Sequence, residues 1–153
     1  MVQQENTFKV AEVEVTYRPK FKALERPKIT TSGQAYSLLL SRWSKGKIEL
    51  LEEFKVVLLN RNNRVLGIAD ISQGGVSGTV VDPKIIFAIS LKANASSIIL
   101  CHNHPSGNIK PSDADIQLTR KMVEGGRLLD VTVWDHLIIS NEGYYSLVDN
   151  GMI

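Results

Sequence analysis

Between residues 52 and 147 the chain switches repeatedly between strand-like and helix-like patterns, and this switching limits it to a few folds. Residues 52–60, EEFKVVLLN, are rich in β-branched and aromatic side chains and predict a strand. The run 61–64, RNNR, predicts a tight turn because asparagine tolerates left-handed backbone. VLGIADIS, 65–72, then pairs back as a second strand, and GGVSG, 74–78, reads as a flexible loop. Asp82-Pro83 is a helix start, an N-cap carboxylate followed by proline at the first helical position, and this helix runs to about Ala93. Ser97–Cys101 is a short buried strand that ends in the loop HNHPSG, 102–107. Pro111-Ser112 opens a helix that runs to about Glu124 and stops at Gly125-Gly126. Val131–Val133, Leu137–Ile139 and Tyr144–Leu147 finish the chain as short strands. Upstream, Thr31 or Ser32 can cap a helix from about Gly33 to Ser44, with Ala35, Leu38, Leu39 and Trp43 as its apolar stripe. Strands interleaved with long helices predict an α/β or α+β fold with a mixed sheet.

Composition adds limits rather than a function. The length, 153 residues, suits one domain, and 43% hydrophobic with 22% charged residues is ordinary for a globular chain. One cysteine excludes an intramolecular disulfide framework and any Cys-rich zinc finger. No apolar run approaches the roughly 20 residues that span a bilayer, so no membrane partner is expected. The opening MVQQENTFKV lacks the pattern of a secretory signal, which makes a cytoplasmic protein the default expectation. A net charge of +2 neither requires nor excludes a nucleic-acid partner. Residues 1–30 form a separate expectation: alternation over residues 10–17 reads as a half-buried strand, and residues 18–28, with five basic side chains and two prolines, as an extended connector, either a solvated arm or a nucleic-acid contact. The domain proper is expected over 31–153.

Polar chemistry concentrates at 102–115. On an extended segment, His102 and His104 point to one side, and imidazole is the commonest nitrogen ligand for zinc. Placed just past the end of a buried strand, the pair has a fixed backbone and accessible rings. Asp115, in the first turn of the next helix, can add an oxygen ligand. Two histidines and one aspartate leave a fourth tetrahedral position for water, the arrangement of catalytic rather than structural zinc sites. Ser112, three residues earlier, sits at a helix N-terminus where an oxyanion could be stabilised; Ser112-x-x-Asp115 also fits a capping box. A general base is needed as well. Glu52 and Glu53 point to opposite faces of their strand, so one of the two can serve, and the more apolar surroundings on the Phe54 face favour Glu52. Asp135-His136 reads as a strand position with locally satisfied polar atoms, or as a further metal site or a partner to the ligands; Cys101 reads as a small core residue.

Glu52, His102-x-His104-Pro105 and Ser112-x-x-Asp115 together resemble the JAMM motif of the JAB1/MPN metallopeptidase superfamily. The strings HNHPSGNIKPSDAD, VWDHLII and GYYSL are similar to those of the bacterial RadC family, over roughly residues 31–153. The resemblance implies one zinc ion per chain held by His102, His104 and Asp115, Glu52 as the base that activates water, and Ser112 as a stabiliser of the tetrahedral intermediate. It implies a curved mixed sheet flanked by helices, similar to cytidine deaminases, and a zinc hydrolase acting on an amide or isopeptide bond of a protein or peptide. Residues 1–30 are too few for the helix-hairpin-helix region of full-length RadC proteins, so the DNA-repair role in the family name is expected to be weaker here. A zinc deaminase is disfavoured because its motif needs H-x-E and paired cysteines. An HNH nuclease is rejected because its residues are spread over a ββα unit. A non-catalytic, DNA-interacting accessory module remains the alternative.

Overall fold

The computed structural model describes residues 9–14, 16, 18–75 and 78–153. Three helices, α1 (Ser32–Arg42), α2 (Pro83–Lys92) and α3 (Asp113–Leu129), accompany five strands, β1 (Glu53–Leu59), β2 (Val65–Gln73), β3 (Ser97–Asn103), β4 (Thr132–Ile139) and β5 (Tyr144–Ser146). The strands form one mixed sheet in the order β2-β1-β3-β4-β5. β1 runs antiparallel to β2 and β3, β3 runs parallel to β4 across the α3 crossover, and β5 pairs back antiparallel on β4.

Both faces of the sheet are covered, so β1 and β3 are buried along their whole length. Ala35 and Leu39 of α1 pack on a face formed by Val57, Leu59, Ile99, Cys101, Leu137 and Ile139. Ile86 of α2 and Met122 of α3 pack on the other, formed by Phe54, Val56, Leu58, Ile98 and Leu100. Cys101 is fully buried on the α1 face, as its reading as a core residue expects. Capping follows the sequence signals: the side chains of Thr31, Asp82 and Ser112 each accept from a first-turn N–H of α1, α2 and α3. The RNNR turn places Asn63 at φ +57°, with the Asn60 side chain accepting from the N–H groups of Asn62 and Arg64.

Four sequence expectations are corrected. First, α3 runs through Gly125-Gly126 to Leu129. These glycines permit close approach: a Cβ at Gly125 would lie 2.8 Å from the Phe87 ring, and one at Gly126 only 2.2 Å from the Val131 carbonyl oxygen. The helix ends instead at Asp130, with φ +54°.

Second, the pieces expected at 131–133 and 137–139 are one strand, β4. A register shift sets Val133 opposite Ile98 and Asp135 opposite Ile99, leaving Trp134 as the extra residue of a bulge. The bulge breaks the alternation, and buried Asp135 and His136 look like a gap in an apolar pattern. Third, residues 9–14 and 16 are exposed and belong to no strand, while 15 and 17 lie outside the described residues. Val10 and Val13 are 83% and 90% exposed, so the alternation there has no apolar surface to cover it.

Fourth, the connector is docked rather than wholly solvated. Arg26 is buried, Ile29 joins the core, and the Arg64 guanidinium donates to the carbonyls of Leu24 and Arg26. The 74–78 segment includes 76 and 77, which lie outside the described residues; Gly75 and Gly78 form an isolated bridge. Among the described residues no helix is long and apolar enough to cross a membrane.

Candidate metal centre

β3 is two residues longer than its apolar run suggests and carries His102 inside the sheet, paired with Phe54 of β1 and Ile138 of β4. His102 is therefore 1% exposed rather than accessible, with its ring stacked on Phe54. His104 is the first residue past the strand, its side chain 18% exposed. Its Nδ1 is 2.6 Å from the Asn108 carbonyl oxygen. A carbonyl can only accept, so Nδ1 carries a proton, and in the neutral ring Nε2 presents a lone pair. Asp115 is the N3 residue of α3. Its N–H donates to Ser112 Oγ at 3.1 Å and its Oδ2 accepts from the Ser112 N–H at 2.8 Å, so the capping box exists as well as the cluster.

His102 Nε2 lies 3.0 Å from His104 Nε2 and 3.2 Å from Asp115 Oδ1, and His104 Nε2 lies 3.4 Å from Asp115 Oδ2. These three residues form a group whose ligand atoms all lie within 4.8 Å of one another. A lone pair on His104 facing a carboxylate across 3.4 Å is a repulsive contact unless something positive lies between them. The donor set, two imidazole nitrogens and one carboxylate oxygen, suits zinc and other divalent first-row metals. The residues fit the ion.

The electrostatics agree. Burial alone would raise the Asp115 carboxyl, but the two imidazoles and the Ser112 N–H hold it well below the usual carboxylate range. Asp115 raises His104 above the ordinary histidine value, partly offset by burial. His136, fully buried, is pushed well below the ordinary value by desolvation and by His102.

Glu52 sits just before β1, with Oε1 3.9 Å from His102 Nε2 and its side chain 14% exposed. Burial, partly opposed by the two histidines, raises its carboxyl. Glu53 is buried, 8% exposed, and its N–H is held by the Asn103 side chain. The apolar-face argument for Glu52 over Glu53 does not discriminate, since both faces of β1 are buried. What puts Glu52 on the histidine side is the register, Phe54 opposite His102. Glu52, Ser112, His104 and Asp115 line a cleft of about 270 Å³ together with Gly78, Thr79 and Pro105.

Two residues with a part in this geometry, Asn103 and Thr119, escape the sequence reading, and a third, His136, is there one of several readings. Asn103 points to the α1 face, accepts from the Glu53 N–H at 2.7 Å and donates to the carbonyls of Ile48 at 2.7 Å and Leu51 at 2.9 Å. It thereby clamps the turn that delivers Glu52. Its signal is an amide that follows Ile99 and Cys101 on the same face of the strand. His136 and Thr119 stand behind His102: His102 Nδ1 is 2.8 Å from His136 Nε2, and His136 Nδ1 is 2.6 Å from Thr119 Oγ1. Thr119 lies four residues after Asp115, on the same side of α3, which is the spacing that could have found it.

A mixed sheet that brings two imidazoles and a helix-start carboxylate to one point defines a class of α/β domain able to hold a metal ion at a sheet end. Comparison with known proteins narrows the class. Residues 29–152 match the family model described as the RadC-like JAB domain, and the chain belongs to that family. It is 44% identical over 129 residues to a UPF0758 protein of Flavobacterium johnsoniae, covering 84% of this chain and 55% of that protein. It is 41% identical over 126 residues to a UPF0758 protein of Clostridium beijerinckii, covering 82% and 54%. A UPF0758 protein of Alkaliphilus metalliredigens is 43% identical over 102 residues, 67% of this chain and 44% of that protein. The chain spans about half the length of the curated relatives it matches.

Proposed function

We propose that this domain is a zinc-dependent hydrolase that cleaves an amide or isopeptide bond in a protein or peptide. The observation that carries the reading is the convergence of His102, His104 and Asp115 with a half-buried carboxylate, Glu52, beside them. His102, His104 and Asp115 would hold the ion, one per chain. When bound, zinc supplies Lewis-acid polarisation of the carbonyl and a lowered pKa for water.

Glu52 acts as general base and then general acid: it takes a proton from the attacking water and returns it to the leaving amine. Its raised pKa brings it nearer the neutral range in which such a shuttle is efficient. Ser112 Oγ accepts from the Asp115 N–H, which leaves its O–H free to donate to the oxyanion that develops on the carbonyl. The shallow cleft beside Gly78 and Pro105 suits an extended chain segment. A cytoplasmic setting completes the proposal, in keeping with a single, buried, free cysteine.

The test is metal content followed by turnover. Protein purified without chelator should hold about one zinc per chain. It should cleave members of a library of linear and ε-linked peptides, and Glu52→Gln should not. Full zinc occupancy in a His102→Ala/His104→Ala double variant would remove the metal reading. Bound zinc with no cleavage and with salt-dependent DNA binding would favour the accessory module.

A further inference from the structure

The hydrogen-bond chain behind His102 has a direction that can be read from its far end. The last group is the backbone carbonyl of Asp115, 2.7 Å from Thr119 Oγ1, and a carbonyl only accepts. The Thr119 hydroxyl therefore donates its one proton there. Toward His136, 2.6 Å away, Thr119 Oγ1 can then only accept, so His136 carries a proton on Nδ1. His136 is 0% exposed, and among the described residues no carboxylate touches either ring nitrogen, so the ring stays neutral and its Nε2 is a lone pair. That lone pair, 2.8 Å from His102 Nδ1, requires the proton of His102 to lie on Nδ1. With its proton on Nδ1, the His102 ring presents Nε2 toward His104 and Asp115 as the ligating nitrogen.

We propose that Thr119 and His136 are positioning residues that lock His102 in the one tautomer able to ligate a metal, with the Asp115 backbone carbonyl as the fixed end of the chain. This rests on the reading of His102 as a zinc ligand. The fold supplies two supports. The β4 bulge puts His136 on the same sheet face as Leu100 and His102. The Phe54 ring stacks on His102 at 5.8 Å and meets His136 edge-on at 5.6 Å, so neither ring is free to flip. The chain also closes on the site: Asp115 would hold the ion through its side chain and anchor the tautomer of a second ligand through its backbone. His104 reaches the same tautomer by a single contact with Asn108.

The chain contains three histidines, all in this cluster, so ring-nitrogen NMR on ¹⁵N-histidine protein reads the proposal directly. In zinc-free protein near pH 8, His102 and His136 are expected to carry their protons on Nδ1. Thr119→Val keeps the shape and removes the hydroxyl; it should weaken zinc binding about 10- to 100-fold by chelator competition and move the His102 proton to Nε2. Thr119→Ser should stay within about threefold of the parent, since it restores the hydroxyl. A His102 proton on Nε2 in the parent protein overturns the proposal. So does a Thr119→Val variant with parental zinc affinity, or a Thr119→Ser variant as weak as the valine. If Thr119→Val does not fold, the parent spectrum and the serine variant decide. A parent protein that takes up no zinc would sink the metal reading instead, while its ring tautomers would still judge the lock.

Discussion

The two ends of the sheet are both polar and both concave, yet they differ in the feature that matters. At the end where β1 finishes and β3 begins, Asn60, Arg61, Asn94, Ser96, Thr132 and Trp134 line an open cavity of about 1030 Å³. At the opposite end the cleft beside Glu52 and Asp115 measures about 270 Å³. In the larger cavity the polar groups serve local structure: Asn60 Oδ1 takes the N–H groups of Asn62 and Arg64, and the Ser96 N–H and carbonyl bond Leu59 and Thr132. In the smaller one, lone pairs of two imidazoles and a carboxylate face one another with no donor between them. Size and polarity do not locate chemistry here; unmatched acceptors do.

This contrast can be challenged by mutation. Glu52→Gln should lower turnover on any cleaved substrate by about 10²- to 10⁴-fold while zinc content and melting temperature hold. Glu53→Gln should not match it, and the reverse pattern would mean that the β1 register is off by one residue. Ser112→Ala removes the α3 cap and should cost about 1 kcal/mol in denaturant unfolding, with zinc retained. If turnover does not fall as well, Ser112 is a cap alone.

At the other end, Asn60→Ala should cost about 0.5–1 kcal/mol through its two turn bonds. Its zinc content and turnover should stay parental, and a change in either would undo the contrast. The smallest effect is expected at Asp135, buried between the ends, whose oxygens are matched by Ser146 Oγ and the N–H groups of Val148 and His136. Burial raises its carboxyl despite these donors. A raised folded-state value means its contribution to stability is fully present below the unfolded value near 3.9 and is lost as pH climbs through the folded value. Asp135→Asn should therefore gain stability relative to the parent at pH 7, and the gain should shrink as the pH falls toward 4. A gap that widens on acidification would contradict this assignment.

The residues that were legible in the sequence are those whose local chemistry and tertiary role coincide. Asp82-Pro83 starts a helix in any context, and RNNR turns the chain by its own backbone preference. The approach of His102, His104 and Asp115 follows from spacing at a strand-to-helix junction, so the cluster could be read before its geometry was known. What stayed hidden depends on partners far away in the chain. Gly125-Gly126 looks like a stop until Phe87 and Val131 are seen against it. Asp135-His136 reads as a strand position with satisfied polar atoms, but the partners that satisfy it, Ser146 and Thr119, are visible only in the fold. Glu52 and Glu53 cannot be separated by hydrophobic pattern on a strand with two buried faces, because only the pairing across to His102 distinguishes them.

The seat of Gly126 carries a consequence for the distant cluster. α3 begins at the Ser112–Asp115 capping box and, near its C-terminal end, packs Gly126 against Val131, whose N–H donates to the Gly126 carbonyl. From Asp115 to Gly126 is about 16 Å at 1.5 Å per residue. A helix is stiff along its axis, so a push at one end arrives at the other little diminished. Even a single methyl group at position 126 would meet the Val131 carbonyl oxygen at 2.2 Å and force this end of the rod off the strand that follows it. The absence of a side chain at position 126 is thus part of what seats α3, and with it the capping box that carries Asp115.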